Sequence, residues 1–233
     1  MLFLRMDHPL DNPVWNALLT GNKNVAEGNE RVKCFPASIA PFTGLKETDQ
    51  HGFKALYELI PAGRTIALVS TGDMAIPDQW KIKHQIKVFQ MLYENDYPPA
   101  TTHQEMIPLQ AEHIPQMLAL TKLTNPGPFH ERTIDLGNYF GIFNKEQLVA
   151  MAGQRMHAGP YLEISAVCTQ PGYHGNGYAS SLMKHMTDII KAQSRTPFLH
   201  VITENEKAIR LYASLGFVTR REMLVNVIQK KES

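Results

Sequence analysis

Tyr173-His174-Gly175-Asn176-Gly177-Tyr178-Ala179 stands between an apolar run, Leu162 to Cys168, and an amphipathic segment from Gly177 to about Ala192. Strand, tight glycine loop and helix in that order make a site for a pyrophosphate. The first N–H groups of a helix have no intrahelical partner, and the macrodipole adds partial positive charge at the same end. Glycines at 175 and 177 let backbone amides approach an anion with no Cβ in the way. A glycine pair before a helix is a weak signal on its own, since many such pairs are ordinary turns.

The next segment strengthens it. Pro197 to Ile202 reads as a short buried strand, Thr203 to Glu206 as a polar turn, and Ala208 to Leu215 as a helix. Ala208, Leu211, Tyr212 and Leu215 fall at i, i+3, i+4 and i+7 and form one apolar face. Gly216 stands where a left-handed residue ends a helix, with Phe217 behind it for the capping contact. Here the sequence resembles a family. Glu204 to Phe217 is similar to the second signature of the GCN5-related N-acetyltransferases (GNAT), and Tyr173 to Ala179 to their acyl-CoA pyrophosphate loop. With Glu163-Ile164-Ser165-Ala166-Val167-Cys168-Thr169 added, the ensemble is most similar to the FR47-like branch.

The resemblance implies an α/β acyl-CoA N-acyltransferase fold with a mixed, centrally splayed sheet. It implies acetyl transfer from acetyl-CoA, as cosubstrate, to a primary amine of a small molecule or peptide by direct attack. The alternative is a non-catalytic acyl-CoA-binding module that senses CoA or regulates a partner. Such a module would keep the loop glycines and Asn205 but need neither Glu163 nor Tyr212.

Composition is that of an ordinary soluble globular protein. The 233 residues are 43% hydrophobic and 19% charged, enough to bury a core. A net charge of +1 leaves no positive excess to neutralise nucleic-acid phosphates. Cys34 and Cys168 lie in different halves and read as free thiols of a reducing cytoplasm. Met1 to Arg5 is too short an apolar run for a signal peptide, and no stretch approaches the roughly 18 apolar residues of a membrane span. The ten histidines show no HExxH or paired Cys/His spacing, so no metal is expected. A homodimer is left open.

A boundary is expected around Asn95 to Thr102, where Pro98-Pro99 interrupts the pattern. It divides the chain into an N-terminal α/β region, 1–102, and an acetyltransferase domain, 103–233. The resemblance implies an N-terminal region of about this size and leaves open that it is a degenerate copy of the same fold; that inference rests on resemblance alone. In the first region Pro13–Leu19 and Asp49–Ile60 read as helices, and Arg64–Ser70 and Ile82–Leu92 as strands. In the second, strands are expected at Glu105–Pro108, Tyr139–Asn144, Gln147–His157 and Leu162–Thr169 and near Glu222–Ile228, with a helix at Ala111–Thr121.

Acetyl transfer needs a proton taken from the ammonium, a polarised carbonyl and a protonated thiolate. Glu163 is the expected base. Strand alternation puts Glu163, Ser165 and Val167 on one face and Ile164, Ala166 and Cys168 on the other, and a carboxylate in so apolar a strand should have a raised pKa. A strand-end carboxylate paired with an Arg or Lys is the plainer reading. By resemblance, Tyr212 is the acid, in the pattern of Asn205, Ala208 and Tyr212; the plainer reading is a core aromatic. By resemblance too, the strand ending Ala166-Val167-Cys168 splays from its neighbour, so that a free amide meets the thioester oxygen while Val167 and Thr169 pair with the pantetheine arm. Gly175, Gly177, Tyr178 and Ala179 would cradle the pyrophosphate, with His174 and Asn176 where the family often places longer cationic or amide side chains. Asn205 would support the pantetheine or cap its helix, and Lys122–Gly137 would line the acceptor pocket. Arg220-Arg221 and Lys230-Lys231 read as solvated surface pairs.

Overall fold

The computed structural model describes residues 8–95 and 104–231. In chain order the elements are α1 (Pro13–Leu19), β1 (Glu27–Gly28), β2 (Val32–Cys34), β3 (Thr43–Leu45), α2 (Gln50–Leu59), β4 (Thr65–Ser70), β5 (Trp80–Tyr93), β6 (Ile107–Pro108), α3 (Ile114–Thr124), β7 (Tyr139–Asn144), β8 (Gln147–Ala158), β9 (Tyr161–Thr169), α4 (Tyr178–Ala192), β10 (Thr196–Ile202), α5 (Glu206–Ser214) and β11 (Phe217–Lys230). β1 to β3 make a small sheet, and the other strands form one sheet in the order β4-β11-β5-β10-β9-β8-β7-β6. Within that sheet only β9 and β10 run parallel.

β5 ties the two expected regions together. It lies between β11 and β10, with Gln90 opposite both His200 and Arg221. β4 closes the far edge against β11. β4 and β5, before residue 95, therefore share one sheet with the strands after residue 104, and a boundary at 102/103 cuts across that sheet. Most of the expected boundary, Asp96 to Thr102, lies outside the described residues.

The sheet is covered on both faces. On one, Leu182, Met183, Met186 and Ile190 of α4 pack with Leu162, Ile164, Leu199 and Val201. These helix positions fall on a single stripe, which is why the segment buries one side against the sheet. On the other face Leu10, Val14 and Leu18 pack with Phe35, Met156, Phe198 and Met223. α2 covers the β4 end through Phe53 and Leu56. It opens with Asp49 accepting the Gly52 amide at 2.8 Å, a side-chain cap that satisfies one orphan donor.

Two local expectations shift. The strand expected from Glu105 shrinks to Ile107–Pro108, because only Ile107 and Pro108 find partners, in Gly141 and Phe140. The helix expected at Ala111–Thr121 begins with a 3₁₀ turn at Ala111–His113 and ends at Asn125, whose φ of 47° stops it in the left-handed conformation.

Candidate active site

The parallel pairing of β9 and β10 is three residues long: Thr196 with Tyr161, Pro197 with Leu162, Phe198 with Glu163. Beyond Glu163 and Phe198 the strands part, leaving Ile164–Thr169 and Leu199–Ile202 as the two arms of a fork. The β10 arm keeps its pairing with β5, and the β9 arm its pairing with β8. Both inner edges of the fork therefore present unpaired backbone, a site for an extended arm that completes the ladder.

A β-bulge shapes the β9 arm. Met151 faces Cys168 and Gly153 faces Ser165, so Ala166 and Val167 together oppose Ala152. Ala166 takes a φ of 53°, the sterically costly left-handed region for a residue with a Cβ. The bulge reverses the strand's parity, which corrects the simple alternation expected from sequence. Ile164 and Val167 pack toward α4, whereas Ala166 and Cys168 pack with Met117, Leu120 and Met151 on the α3 side.

The glycine loop follows. Pro171–Tyr173 forms a 3₁₀ turn, and Gly175 and Gly177 have φ of 88° and 76°. Among the described residues, the amides of Gly175, Asn176, Gly177, Tyr178, Ala179 and Ser180 donate to no backbone carbonyl; the first local bond past the loop is Ser181 to Gly177 at 3.0 Å. His174 Nε2 donates to the Thr169 carbonyl at 2.9 Å, and Asn176 Nδ2 to that of Tyr173 at 3.2 Å. Both side chains brace the loop onto its own backbone, leaving the anion site to the amide row. Thr169 Oγ1, at the end of the β9 arm, is buried without a partner among the described residues. An orphan hydroxyl beside unpaired backbone and free amides fits a long polar ligand entering the fork.

α5 bounds the site from beyond β10. Asn205 accepts the Ala208 amide at 3.1 Å and so caps the helix. Tyr212 is buried and edge-on to Phe217 at 6.3 Å between ring centroids. Burial, with the charge that Cys168 of β9 would carry, pushes its phenol up to about 12. Among the described residues its hydroxyl has no hydrogen-bond partner. Cys168 is itself pushed up to about 11 by burial, so at neutral pH it is a thiol and not a nucleophile.

Glu163 is not placed as a raised-pKa base would be. Its carboxylate is fully buried. Arg155 Nε donates to Oε2 at 2.7 Å, Arg155 Nη2 to Oε1 at 2.6 Å, and His200 Nδ1 to Oε1 at 2.8 Å. Burial alone would raise the pKa, but the Arg155 charge and these hydrogen bonds outweigh it and hold the group at about 2. Two signals were missed. The Gly159-Pro160 turn aligns Ala158 with Tyr161 and His157 with Leu162, which by counting sets Met156, not Arg155, opposite Glu163. A register shift between Gln154 and His157 brings Arg155 into place. His200 read only as part of a buried strand.

A depressed carboxyl contributes stability above its unfolded pKa and loses it as pH falls toward the folded value. For Glu163 the window runs from about 4.5 down to about 2. Asp11 and Asp49 are depressed as well, the first by its two arginines against the effect of burial, the second by the Gly52 amide, and add to the stability lost in acid. Urea midpoints measured between pH 5 and 3 should therefore fall less steeply when Arg155→Met and Glu163→Leu remove the pair together. Parallel slopes in the two proteins would show that the pair contributes nothing to acid sensitivity.

The polar loop before β7 packs against the N-terminal region. Arg132 N donates to Ser38 O at 3.1 Å, and Thr133 Oγ1 to Ile39 O at 2.6 Å. Phe129 meets Tyr139 edge-on at 5.7 Å beside a cavity of about 300 Å³ lined by Ser38, Leu118, Phe129, His130 and Glu131. A larger cleft, about 1160 Å³, lies away from the fork on the α1 side of β4 and β11. Its lining includes Arg220 and Arg221, which are not the solvated pair expected. A register shift between Thr219 and Arg221 lets both arginines reach the Asp11 carboxylate, Arg221 at 2.7 Å. Lys230 likewise donates to the carbonyls of Tyr57 and Ile60 at the end of α2.

The comparisons with known proteins agree with this geometry. Residues 139–225, from β7 into β11, match the family model for FR47-like proteins. A GNAT-family protein of known structure from Novosphingobium aromaticivorans is 31% identical, covers 97% of this chain and 100% of its own, and superposes with a TM-score of 0.89. The chain belongs to the GNAT superfamily, in its FR47-like branch. An uncharacterized Mycobacterium leprae protein is 28% identical over 196 residues, 78% of this chain and 54% of its own length. The mycothiol acetyltransferase of Streptomyces scabiei is 31% identical over 109 residues, 46% of this chain and 35% of its own. The chain thus spans about half and about a third of these two relatives. Among the described residues no helix is long and apolar enough to cross a membrane, and no three metal-ligating side chains are grouped.

Proposed function

We propose that this GNAT member is an acetyl-CoA-dependent N-acetyltransferase acting on a primary amine of a small molecule or peptide. The observation that carries the proposal is the meeting of the β9–β10 fork, bulged at Ala166, with the six amides of Gly175 to Ser180, which have no partner among the described residues. The amides of Gly175 to Ser180 would hold the pyrophosphate of acetyl-CoA. The inner edge of β9, with Val167 and Thr169, would hold its pantetheine arm. The thioester of the bound cosubstrate supplies the activated acyl group.

This chain's own residues do the rest. Backbone N–H at the bulge is preorganised to stabilise charge on the carbonyl oxygen, with no reorientation cost. The Tyr212 phenol, kept protonated by burial, donates to the leaving sulfur. Glu163 is paired too tightly to take the ammonium proton, so the amine enters neutral or hands its proton to water in the fork. The unengaged Tyr212 hydroxyl favours catalysis over a sensor, since a sensor needs no donor there. Purified protein with acetyl-CoA and a panel of primary amines should release free CoA thiol in an amine-dependent manner. Binding of acetyl-CoA with no release across amino acids, small amines and peptide N-termini would support the sensor instead.

A further inference from the structure

The fork opens at Glu163. Its backbone makes the last β9–β10 pair, with Phe198, and its side chain takes over where the backbone ladder stops. One carboxylate joins three strands: β9, which carries it, β8 through Arg155, and the β10 arm through His200, two residues past the last pair. The chain of bonds continues inward. Gln90 of β5, fully buried, donates from Nε2 to His200 Nε2 at 3.1 Å and to Leu10 O at 2.9 Å. Its Oε1 accepts from Arg220 of β11 at 2.7 Å, and Arg220 reaches Asp11. The direction of these bonds is set throughout. Arg155 and Arg220 only donate, so Glu163 and the Gln90 oxygen accept. The Gln90 NH₂ then donates, which requires His200 to carry its proton on Nδ1.

This arrangement engages both carboxylate oxygens, three of about four acceptor sites, yet it is costly to bury. A carboxylate taken fully out of water needs compensation that apolar packing would not require. It also sits where flexibility would do most harm. Past Phe198 no backbone bond between β9 and β10 sets the width of the gap, while the bulge on one arm and α5 beyond the other must stay in register. We propose that Glu163 is a positioning residue, the keystone that fixes how far β9 and β10 part, with Arg155 and His200 as its abutments. The inference rests on the proposed transferase reading for its kinetic consequence but not for its structural one.

Two variants test it. Glu163→Gln keeps the shape and one hydrogen-bonding oxygen. Arg155→Met with Glu163→Leu removes both charges together, so that no unpaired ion is left behind and the protein should still fold. Hydrogen–deuterium exchange comes first, because it needs no activity. Amides of 164–169 and 199–202 that are bonded to β8 and β5 should exchange at least tenfold faster in the double variant, while those of α2 and β4 remain at wild-type rates. Uniform acceleration, or none at the fork, would overturn the keystone.

Kinetics come second. Misplacement of about 1 Å at a reacting centre costs roughly 10²-fold, so kcat/KM for acetyl transfer should fall about that much in both variants. The limbs of the pH–rate profile should stay where they stand in wild type, because Glu163 carries no proton in the reaction. Loss of the acidic limb in Glu163→Gln, with rescue at high pH, would make Glu163 the base and refute the positioning role. Wild-type protein that neither binds acetyl-CoA nor releases thiol would sink the transferase reading alone; the exchange result would still decide the keystone.

Discussion

Tyr212→Phe is expected to lower kcat by roughly 10²–10⁴-fold and to leave acetyl-CoA affinity within a few-fold of wild type. The substitution removes one oxygen from a ring whose packing against Phe217 does not depend on it. The hydroxyl makes no hydrogen bond among the described residues, so its loss strands no buried partner and should change the melting temperature little. What disappears is the proton for the departing thiolate, which must then leave as an anion. Because burial holds the phenol at about 12, the basic limb that Tyr212 imposes on kcat should lie above the working range. Activity should stay level from pH 8 to 10 as far as this group is concerned. A variant with unchanged kcat but a lower melting temperature would show Tyr212 to be packing, and a basic limb near 8 that survives the substitution would point to another acid.

What was legible in the sequence is what is local. The glycine loop, the α4 stripe and the end of α5 depend on residues within one or two turns of each other. Gly216 does take a positive φ, 96°, as its place after the Tyr212 helix requires. What was not legible depends on strands meeting. The alternation of Glu163, Ser165 and Val167 assumed an unbroken ladder, and nothing in the letters marks Ala166 as the residue that leaves it. β5 looked like a strand of its own region because its partners, His200 and the Arg220-Arg221 pair, lie more than a hundred residues away. Glu163 was read correctly as an anomaly, but with a raised pKa that the fold reverses. The apolar strand said that a carboxylate there needs a reason. Only the fold supplied Arg155 and His200, and with them the reversal from a raised to a depressed pKa. The same holds for Asn205, whose two readings were compatible in the sequence and whose oxygen the fold commits to capping.

The anion site gives the second large effect, and it can be measured without any acceptor. Acetyl-CoA at about 100 times its Kd should stabilise the native state by about 2.7 kcal/mol, a rise in Tm of roughly 5–10 °C for a chain of this size. Gly177→Val should abolish that rise. Gly177 has a φ of 76°, which a β-branched residue adopts only at a cost of roughly 1–3 kcal/mol, so the loop would be pulled away from the geometry that aligns its amides. Steric crowding inside the protein is not the cause, because among the described residues nothing lies within 4 Å of a Cβ built at 177. That same emptiness is where the phosphates would sit, so the new methyl groups would stand in their place. Gly172→Val is the control. It lies in the preceding 3₁₀ turn, also has open space around its Cβ, and has no positive φ, so a valine is accommodated there without strain. It should keep the full rise in Tm. Equal rises in the two variants would move acetyl-CoA off the amide row at the start of α4, and loss of the rise in both would mean that the whole loop, not the row alone, sets the affinity.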